Sequence, residues 1–371
     1  MIETLPAENG DSKKVVCYFT NWSQYRSGEW SFKAKDINAH LCTHIIIAFA
    51  RLDWQNLDIQ PLEWNDEATY AVFRELKVEN PELKVLVAVG GWNVGSWTFS
   101  QLTATETSRR IFAENVVQFL NKEGLDGLDV DWEYPVDAQQ QFSELLEALH
   151  LEFHKDPSNA LLLSAALSAG VGTISSSYDI PTIAKYLDFA NIMAYDLRGA
   201  WEIPRRTAMH SALYPGDASD TSTVDSAIRY YMDRGMPSHK LILGIPLYGR
   251  GWTLTDPQST SVGSSADAPS IAGAFSREEG ILFYFEICTA VESDAWIEGF
   301  DDDQKSPFAY SSESKQWVGY DDQKSAEIKA EYIVDLELGG AMFWELGSAD
   351  FRNACGDGVF PVITAMKDAL N

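Results

Sequence analysis

The chain has 371 residues, and its 28 lysines and arginines against 55 aspartates and glutamates give a formal net charge of −27. This charge excludes nucleic acid and anionic membrane surfaces as partners, because both require a basic contact surface. With 45% hydrophobic and 22% charged residues, the composition is that of a folded chain with one large domain or two ordinary ones. The longest apolar runs are far shorter than the ~20 residues of a membrane-spanning helix.

The first fourteen residues are polar and lack the apolar stretch of a secretory signal. The protein is therefore either cytosolic or the mature form of an exported one, and we expect residues 1–13 to be flexible. The four cysteines are scattered, and no C-x-x-C pair indicates zinc or redox chemistry. Their spacing alone leaves open four buried thiols or two disulfides in an exported protein.

Eight apolar runs of strand length recur along the chain, at 15–19, 44–50, 84–90, 127–132, 161–167, 189–195, 241–248 and 340–344. Such nearly continuous apolarity is typical of strands covered on both faces, as in a parallel sheet. Segments with a helical period lie between them, at 105–120, 142–153, 224–232, 325–338 and 362–370. The alternation predicts an α/β fold, and eight units favour a closed (β/α)8 TIM barrel.

Residues 251–319 interrupt this alternation. They include a stretch rich in Ser, Ala and Gly at 259–274 and an acidic run at 301–303. We predict a small α+β insertion domain here, between strand seven and helix seven. The barrel would then comprise residues 14–250 and 320–371.

Residues 126–133 read Asp-Gly-Leu-Asp-Val-Asp-Trp-Glu. Because alternate side chains of a strand share a face, Asp129, Asp131 and Glu133 should project together, with Glu133 at the barrel mouth. Neighbouring carboxylates raise one another's pKa, so at least one should hold a proton near neutral pH and could act as a general acid. The alternatives are an acidic edge paired with Lys or Arg, or a divalent-cation site, but basic neighbours are few and EF-hand spacing is lacking.

This D-x-x-D-x-D-x-E pattern resembles the catalytic signature of the chitinases of glycoside hydrolase family eighteen. Further motifs at 88–93, 193–196, 248–250 and 340–344 follow in the family's order. The resemblance runs from about residue 14 to residue 370 and is greatest to animal chitinases and chitinase-like lectins. It implies a monomer that acts on chitin or chitooligosaccharides without metal or cofactor. The substrate's own 2-acetamido oxygen would be the nucleophile of a retaining hydrolysis.

The resemblance also assigns roles. Glu133 would protonate the glycosidic oxygen and later act as base, Asp131 would bind the acetamido N–H, and Asp129 would share a proton behind it. Tyr195 would donate to the acetamido group. The remaining residues assigned to the sugar-binding cleft are Tyr18, Trp22, Phe49, Gly91, Trp92, Asn93, Met193, Asp196, Trp201, Tyr248, Arg250 and Trp344.

Three tryptophans follow strands one, three and six directly, where barrel-mouth loops begin. Flat aromatic surfaces suit the apolar faces of neutral sugars, and ordinary packing is the alternative. By resemblance, Trp22 and Trp92 would line the non-reducing side of the cleft and Trp201 the reducing side. Trp344 would form the floor at the cleavage point.

The cysteines match the same group of proteins. The resemblance implies disulfides between Cys17 and Cys42 and between Cys288 and Cys355, and hence a secreted, extracellular protein whose signal is not part of this sequence. It further implies non-proline cis peptide bonds at Ala48-Phe49 and Trp344-Glu345. Asn21 begins a glycosylation sequon, but its place at the cleft makes us expect no glycan there.

The chain also departs from the family pattern. Ala88 stands where Ser is frequent, and the helical pattern resumes soon after residue 135, which predicts a lower cleft wall. Residues 202–210 differ from the usual glycine-containing segment, and His210 replaces a common Asn. We expect His210 to be a structural residue that caps a loop.

Three functions compete. The first is an active endo-chitinase, and the second is a glycan-binding lectin on the same barrel. Such lectins usually lose the acid or an aspartate, whereas Glu133, Asp131, Asp129 and Tyr195 are all in place here. The third is an endo-N-acetylglucosaminidase acting on N-glycan cores, but the insertion and the aromatic residues fit a linear chitin chain better.

Overall fold

The computed structural model describes residues 13–371, so nearly all of the segment expected to be flexible lies outside the described residues. The strands are β1 (Lys14–Thr20), β2 (His44–Asp53), β3 (Asp58–Pro61), β4 (Lys84–Gly90), β5 (Gly127–Asp131), β6 (Leu162–Ser168), β7 (Phe189–Met193), β8 (Leu241–Pro246), β9 (Tyr248–Leu254), β10 (Ala266–Pro269), β11 (Ile281–Phe283), β12 (Ile297–Asp301), β13 (Ser306–Ser311), β14 (Gln316–Gly319) and β15 (Gly340–Trp344). The helices are α1 (Asp66–Glu79), α2 (Gly95–Leu102), α3 (Glu106–Glu123), α4 (Gln139–Phe153), α5 (Val171–Ser177), α6 (Ile180–Tyr186), α7 (Val224–Asp233), α8 (Tyr284–Glu292), α9 (Gln323–Asp335) and α10 (Pro361–Leu370).

The parallel strands close into a barrel in the order β1-β2-β4-β5-β6-β7-β8-β15, and β15 pairs back with β1. The predicted (β/α)8 fold is confirmed. Side chains alternate along each strand between two cores: Cys17 and Phe19 of β1 pack outward against the helices, while Val16 and Tyr18 point into the barrel. This alternation decides which residues can reach the barrel interior.

The helices follow from local sequence. The apolar residues Phe112, Val116 and Leu120 lie on one buried stripe of α3. The helix begins after Thr105, whose hydroxyl accepts a hydrogen bond from the backbone N–H of Ser108, and Gly124 ends it in a left-handed conformation with φ of 70°. No helix among residues 13–371 is long and apolar enough to cross a membrane.

A second, antiparallel sheet has the order β10-β9-β14-β13-β12, and β11 pairs with β9. Its first strand begins earlier than the sequence predicts. The expected strand 241–248 is interrupted after Pro246. The Leu247 N–H still donates to the Trp344 carbonyl oxygen of β15, but the Leu247 carbonyl accepts from the Tyr284 N–H and Tyr248 pairs with Phe283 of β11. Tyr248 therefore belongs to the second sheet, and apolarity that continues across the break conceals it in the sequence.

The covalent predictions are confirmed. Cys17 is bonded to Cys42 and Cys288 to Cys355, which uses all four cysteines. Cis peptide bonds occur at Ala48-Phe49 and Trp344-Glu345. Two further cis bonds, Glu133-Tyr134 and Ile203-Pro204, were not predicted from the sequence.

Candidate active site

Three carboxylate side chains follow β5 from the barrel interior to the barrel mouth. Leu128 and Val130 pack outward against the helices, and this outward packing turns Asp129 and Asp131 toward the barrel interior. The strand ends at Asp131, so Glu133 lies just beyond it at the mouth. The predicted alternation thus brings the carboxylates together at the end of the barrel where enzymes of this fold carry their sites.

Asp129 is the innermost and is fully buried. It accepts hydrogen bonds from the Tyr18 hydroxyl at 2.7 Å, the Ser164 hydroxyl at 2.7 Å and the Asn191 amide at 3.1 Å. Burial raises the pKa of Asp129, and these three hydrogen bonds oppose the rise.

Ser164 and Asn191 were not predicted as site residues. Their signal in the sequence is a polar residue inside an apolar strand run, and strand register pairs Ser164 with Asp129 directly. Ala88 pairs with Asp129 on the opposite side and offers no hydroxyl. Asp129 is therefore supported from β6, β7 and β1, not from β4.

Asp131 is 3% exposed, and its Oδ1 atom has no hydrogen-bond partner within residues 13–371. Burial, together with the negative charges of Glu133 and Asp129, raises its pKa well above the ordinary range. A buried carboxyl oxygen without a partner is costly unless a ligand supplies one. Asp131 is accordingly placed to receive an N–H group from a bound molecule.

Glu133 follows at the opening of the cleft. Burial and the charge of Asp196 raise its pKa, whereas hydrogen bonds from the Tyr134 side chain and the Trp92 backbone lower it. The net rise keeps the acid form present at higher pH, as a proton donor requires. Tyr134 is a further residue that was not predicted from the sequence.

Tyr195 is buried beside this row. Its hydroxyl lies 3.9 Å from the sulfur of Met342, which is a weak acceptor. Burial and the charges of Asp131 and Asp196 raise the pKa of Tyr195 well above the ordinary range. Its phenol therefore stays protonated and can donate to a ligand.

Asp196 and Arg250 form a two-bond ion pair at 2.7 and 2.6 Å, and the Tyr248 hydroxyl donates to Asp196 at 2.7 Å. Burial would raise the pKa of Asp196, but hydrogen bonds from Arg250 and His210 and the positive charge of Arg250 hold it well below the usual range. Asp196 is therefore a carboxylate. The Arg250 guanidinium lies 5.1 Å from the centre of the Trp201 ring, which joins this pair to a half-exposed aromatic surface.

Aromatic rings line the cleft beside the carboxylates. The ring of Trp344 lies 5.1 Å from Tyr18, 6.4 Å from Trp22 and 6.2 Å from Phe49, measured between ring centres. Trp22 stacks on Phe49. Trp92 is 73% exposed, so its ring is free to contact a ligand.

The smaller predicted residues take different positions. Gly91 has φ of 85°, its N–H donates to the Asp131 carbonyl oxygen at 2.9 Å, and an added Cβ would lie 2.8 Å from the Phe49 ring. Glycine is required there. Met193 packs against the inner core, whereas Asn93 is exposed at the rim.

Asn21 supports the wall beneath Trp22. It is 1% exposed, and its side-chain nitrogen donates to the Phe49 carbonyl oxygen at 3.0 Å and to both carboxylate oxygens of Asp66 at 3.2 and 3.1 Å. From the sequence, Asn21 was predicted only as the first residue of a sequon.

Potential metal ligands cluster elsewhere. Within the described residues, atoms that could bind a metal lie close together in one group, formed by Cys288, Asp350 and Cys355. Both sulfurs are joined in a disulfide, which removes the thiolates that would bind a metal.

The sequence and the fold of this chain are similar to those of known proteins. The chain is 38% identical to chitotriosidase-1 of Mus musculus, over 98% of this chain and 79% of that protein. A structure of human YKL-39, described as a pseudo-chitinase with retained chitooligosaccharide binding, has a TM-score of 0.92 and 37% identity, and covers 97% of this chain and 100% of its own. The structure of the Ostrinia furnacalis Group IV chitinase in complex with allosamidin has a TM-score of 0.90 and 34% identity. The match covers 96% of this chain and 98% of that chain. The model of the glycosyl hydrolases family 18 matches residues 14–350, and the chain therefore belongs to that family.

Proposed function

We propose that the protein is an endo-acting chitinase that hydrolyses β-1,4 linkages between N-acetylglucosamine units, with retention at the anomeric carbon. The observation that carries this proposal is the complete row of Asp129, Asp131 and Glu133. In this row a buried Asp131 oxygen has no hydrogen-bond partner among the described residues and lies beside the half-buried acid Glu133.

The first step breaks the bond between the anomeric carbon and the glycosidic oxygen. Glu133, whose pKa is raised by burial, gives its proton to that oxygen. The leaving sugar departs as an alcohol, and the acetamido oxygen of the retained sugar attacks the anomeric carbon to close an oxazolinium ring. No enzyme carboxylate forms a covalent bond, unlike in ordinary retaining glycosidases.

Asp131 and Tyr195 hold the acetamido group for this attack. The free Oδ1 atom of Asp131 accepts the acetamido N–H, and the Tyr195 phenol donates to the group from the barrel side. The negative charge that the row of Asp129, Asp131 and Glu133 carries once Glu133 has lost its proton stabilises the positive oxazolinium. Water then adds to the anomeric carbon, opens the ring, and returns a proton to Glu133.

Exposed aromatic rings and the Asp196–Arg250 pair bind the rest of the chain. Trp22 and Trp92 suit the non-reducing side and Trp201 the reducing side, because flat rings match the apolar faces of pyranoses. Two disulfides fit a secreted protein. We accordingly propose an extracellular monomer whose partner is chitin or a chitooligosaccharide.

A glycan-binding lectin is the second candidate, favoured by the likeness to a pseudo-chitinase at 37% identity. The deciding experiment is a product time course on the hexasaccharide of N-acetylglucosamine with the unmutated protein. A chitinase releases shorter oligomers, and NMR of the fresh products shows the β-anomer. Calorimetric binding without any release would identify a lectin, and cleavage of an N-glycan core instead would identify an endo-N-acetylglucosaminidase.

A further inference from the structure

His210 lies between the barrel and the second sheet, beside the carboxylate pair of the cleft. It is 1% exposed. The backbone N–H of Asp196 donates to Nδ1 of the ring at 3.3 Å, and Nε2 lies 3.2 Å from the carbonyl oxygen of Tyr248. The imidazole therefore contacts the two segments that carry the sugar-binding pair, whereas the sequence predicted a loop cap.

The two ring nitrogens have different partners. Nδ1 lies 3.3 Å from both the backbone N–H and the Oδ1 carboxylate oxygen of Asp196, and Nε2 lies 3.2 Å from the Tyr248 carbonyl oxygen. Nδ1 can accept from the Asp196 N–H or, when it carries a proton, donate to the Asp196 carboxylate, whereas a proton on Nε2 is donated to Tyr248. The ring thus bridges Asp196 on one side and Tyr248 on the other.

Hydrogen bonds of the surrounding backbone hold His210 in place. The next residue, Ser211, accepts hydrogen bonds from the buried Lys329 ammonium at both its carbonyl and its hydroxyl, each at 2.8 Å. That ammonium also bonds to both carboxylate oxygens of Asp321. The His210 carbonyl oxygen in turn accepts from the Leu197 N–H at 3.0 Å.

Asp196 needs such support because its φ of 56° lies in the left-handed region. Its carboxylate is held by Tyr248 and Arg250, which both extend from β9 of the second sheet. His210 joins the backbone of Asp196 to the backbone of β9 directly. A change at His210 would therefore shift both members of the Asp196–Arg250 pair relative to the Trp201 ring.

We propose that His210 is a positioning residue that sets the geometry of the Asp196–Arg250 pair, and through it the affinity for sugars on the reducing side of the cleavage point. This inference rests on the proposed chitinase function. His210 itself touches no substrate and acts only through Asp196 and Tyr248.

Three substitutions separate the contributions of the ring. His210→Phe keeps a flat ring against Tyr248, whose ring centre lies 5.2 Å away, but removes both nitrogens. His210→Asn keeps a polar group at the position of Nδ1, and His210→Gln keeps one at the position of Nε2. His44→Phe is the matched control, because His44 is another buried histidine packed against an aromatic ring, at the opposite end of the barrel.

The readout is KM for two substrates, the hexasaccharide and 4-nitrophenyl chitobioside, which carries no sugar on the reducing side. We expect His210→Phe to raise KM for the hexasaccharide about tenfold, the effect of losing one polar contact between the Asp196–Arg250 pair and the sugar. KM for the nitrophenyl substrate should rise no more than about twofold. His210→Asn should recover most of the loss and His210→Gln less, since only the former keeps the contact to Asp196. His44→Phe should not change the ratio of the two KM values.

An equal rise for both substrates, or an unchanged KM for the hexasaccharide, would overturn the inference. A thermal unfolding measurement shows whether His210→Phe is folded. If it is not, a higher hexasaccharide KM for His210→Gln than for His210→Asn supports the inference, and equal KM values for these two variants overturn it. If the unmutated protein cleaves neither substrate, the proposed function fails separately. The inference is then decided by calorimetric affinity for the hexasaccharide, which His210→Phe should weaken about tenfold and His44→Phe should not.

Discussion

The phenolic hydroxyl of Tyr18 donates a 2.7 Å hydrogen bond to Oδ2 of Asp129, across the barrel interior from β1 to β5. This bond lowers the pKa of Asp129 against the effect of burial. Tyr18→Phe should raise that pKa, leave Asp129 protonated to higher pH, and so weaken stabilisation of the cationic intermediate. We expect kcat to fall about tenfold near neutral pH, in hydrolysis of 4-nitrophenyl chitobioside.

Tyr70→Phe provides the control for Tyr18→Phe. Tyr70 is a fully buried tyrosine on α1, and its hydroxyl has no hydrogen-bond partner in the described part of the chain. The same atom is removed, but no carboxylate loses a donor. A similar loss of kcat in both variants would contradict the role given to Tyr18.

Glu133→Gln removes the proposed proton donor and keeps the shape of the side chain. Turnover of the chromogenic chitobioside should fall by a factor of about 10²–10⁴ or more, because Glu133 is the group that protonates the glycosidic oxygen in the proposed mechanism. Affinity for the hexasaccharide, measured by calorimetry, should change little. Glu82→Gln, on an exposed turn before β4, removes a carboxylate far from the cleft and serves as the control. Wild-type turnover in Glu133→Gln would reject the assignment.

Asp131→Asn tests how far ionisation of the buried Asp131 carboxyl group lowers the free energy of unfolding. The pKa of Asp131 is raised in the folded protein, so the folded state favours the protonated form. The contribution of Asp131 to the free energy of unfolding is then fully present below its unfolded pKa of about 3.9. This contribution is lost as the pH rises through the folded pKa. Asparagine is neutral throughout and escapes this loss.

The measurement for Asp131→Asn is the thermal unfolding midpoint at several pH values. The variant should match the unmutated protein near pH 4 and exceed it by about 3 °C near pH 8, while its turnover falls sharply. Asp302→Asn, on an exposed turn between β12 and β13, is the matched control and should follow the unmutated protein. A gap that does not depend on pH would show that ionisation of Asp131 is not its source.

Trp92→Ala tests whether the Trp92 ring binds a sugar on the non-reducing side of the cleft. Trp92 is 73% exposed, so its removal should leave the unfolding midpoint unchanged. Loss of the flat surface should raise KM for the hexasaccharide about tenfold. Leu151→Ala, which truncates a residue that is 61% exposed on α4, is the control and should leave KM unaltered. An unchanged KM for Trp92→Ala would mean that the sugar does not contact this ring.

The barrel was predictable because its strands are covered on both faces and show this as nearly continuous apolar runs. The same property concealed the break at Leu247, where apolarity continues while the hydrogen bonds change partners. The second sheet could be located only as an irregular interval. Its strands are short and its pairings, such as β14 with β9, join distant parts of the chain.

The carboxylates were predictable because three acids at a two-residue spacing have few structural explanations. Their supports were not, since Ser164, Asn191 and Tyr134 are chosen by strand register and loop geometry rather than by local pattern. His210 illustrates the same limit. Its departure from the family pattern was visible in the sequence, but its partners Asp196 and Tyr248 are brought to it only by the fold.

The buried side-chain nitrogen of Asn21 has a consequence for how the protein can be produced. Asn21-Trp22-Ser23 is the one N-x-S/T sequon of the chain. Its amide is enclosed by Asp66 and the Phe49 carbonyl, so a sugar attached there would prevent Asn21 from packing against β2 and α1. Material that has folded in a glycosylating host should therefore have the mass of the bare polypeptide at this position, and enzymatic deglycosylation before crystallisation should be unnecessary.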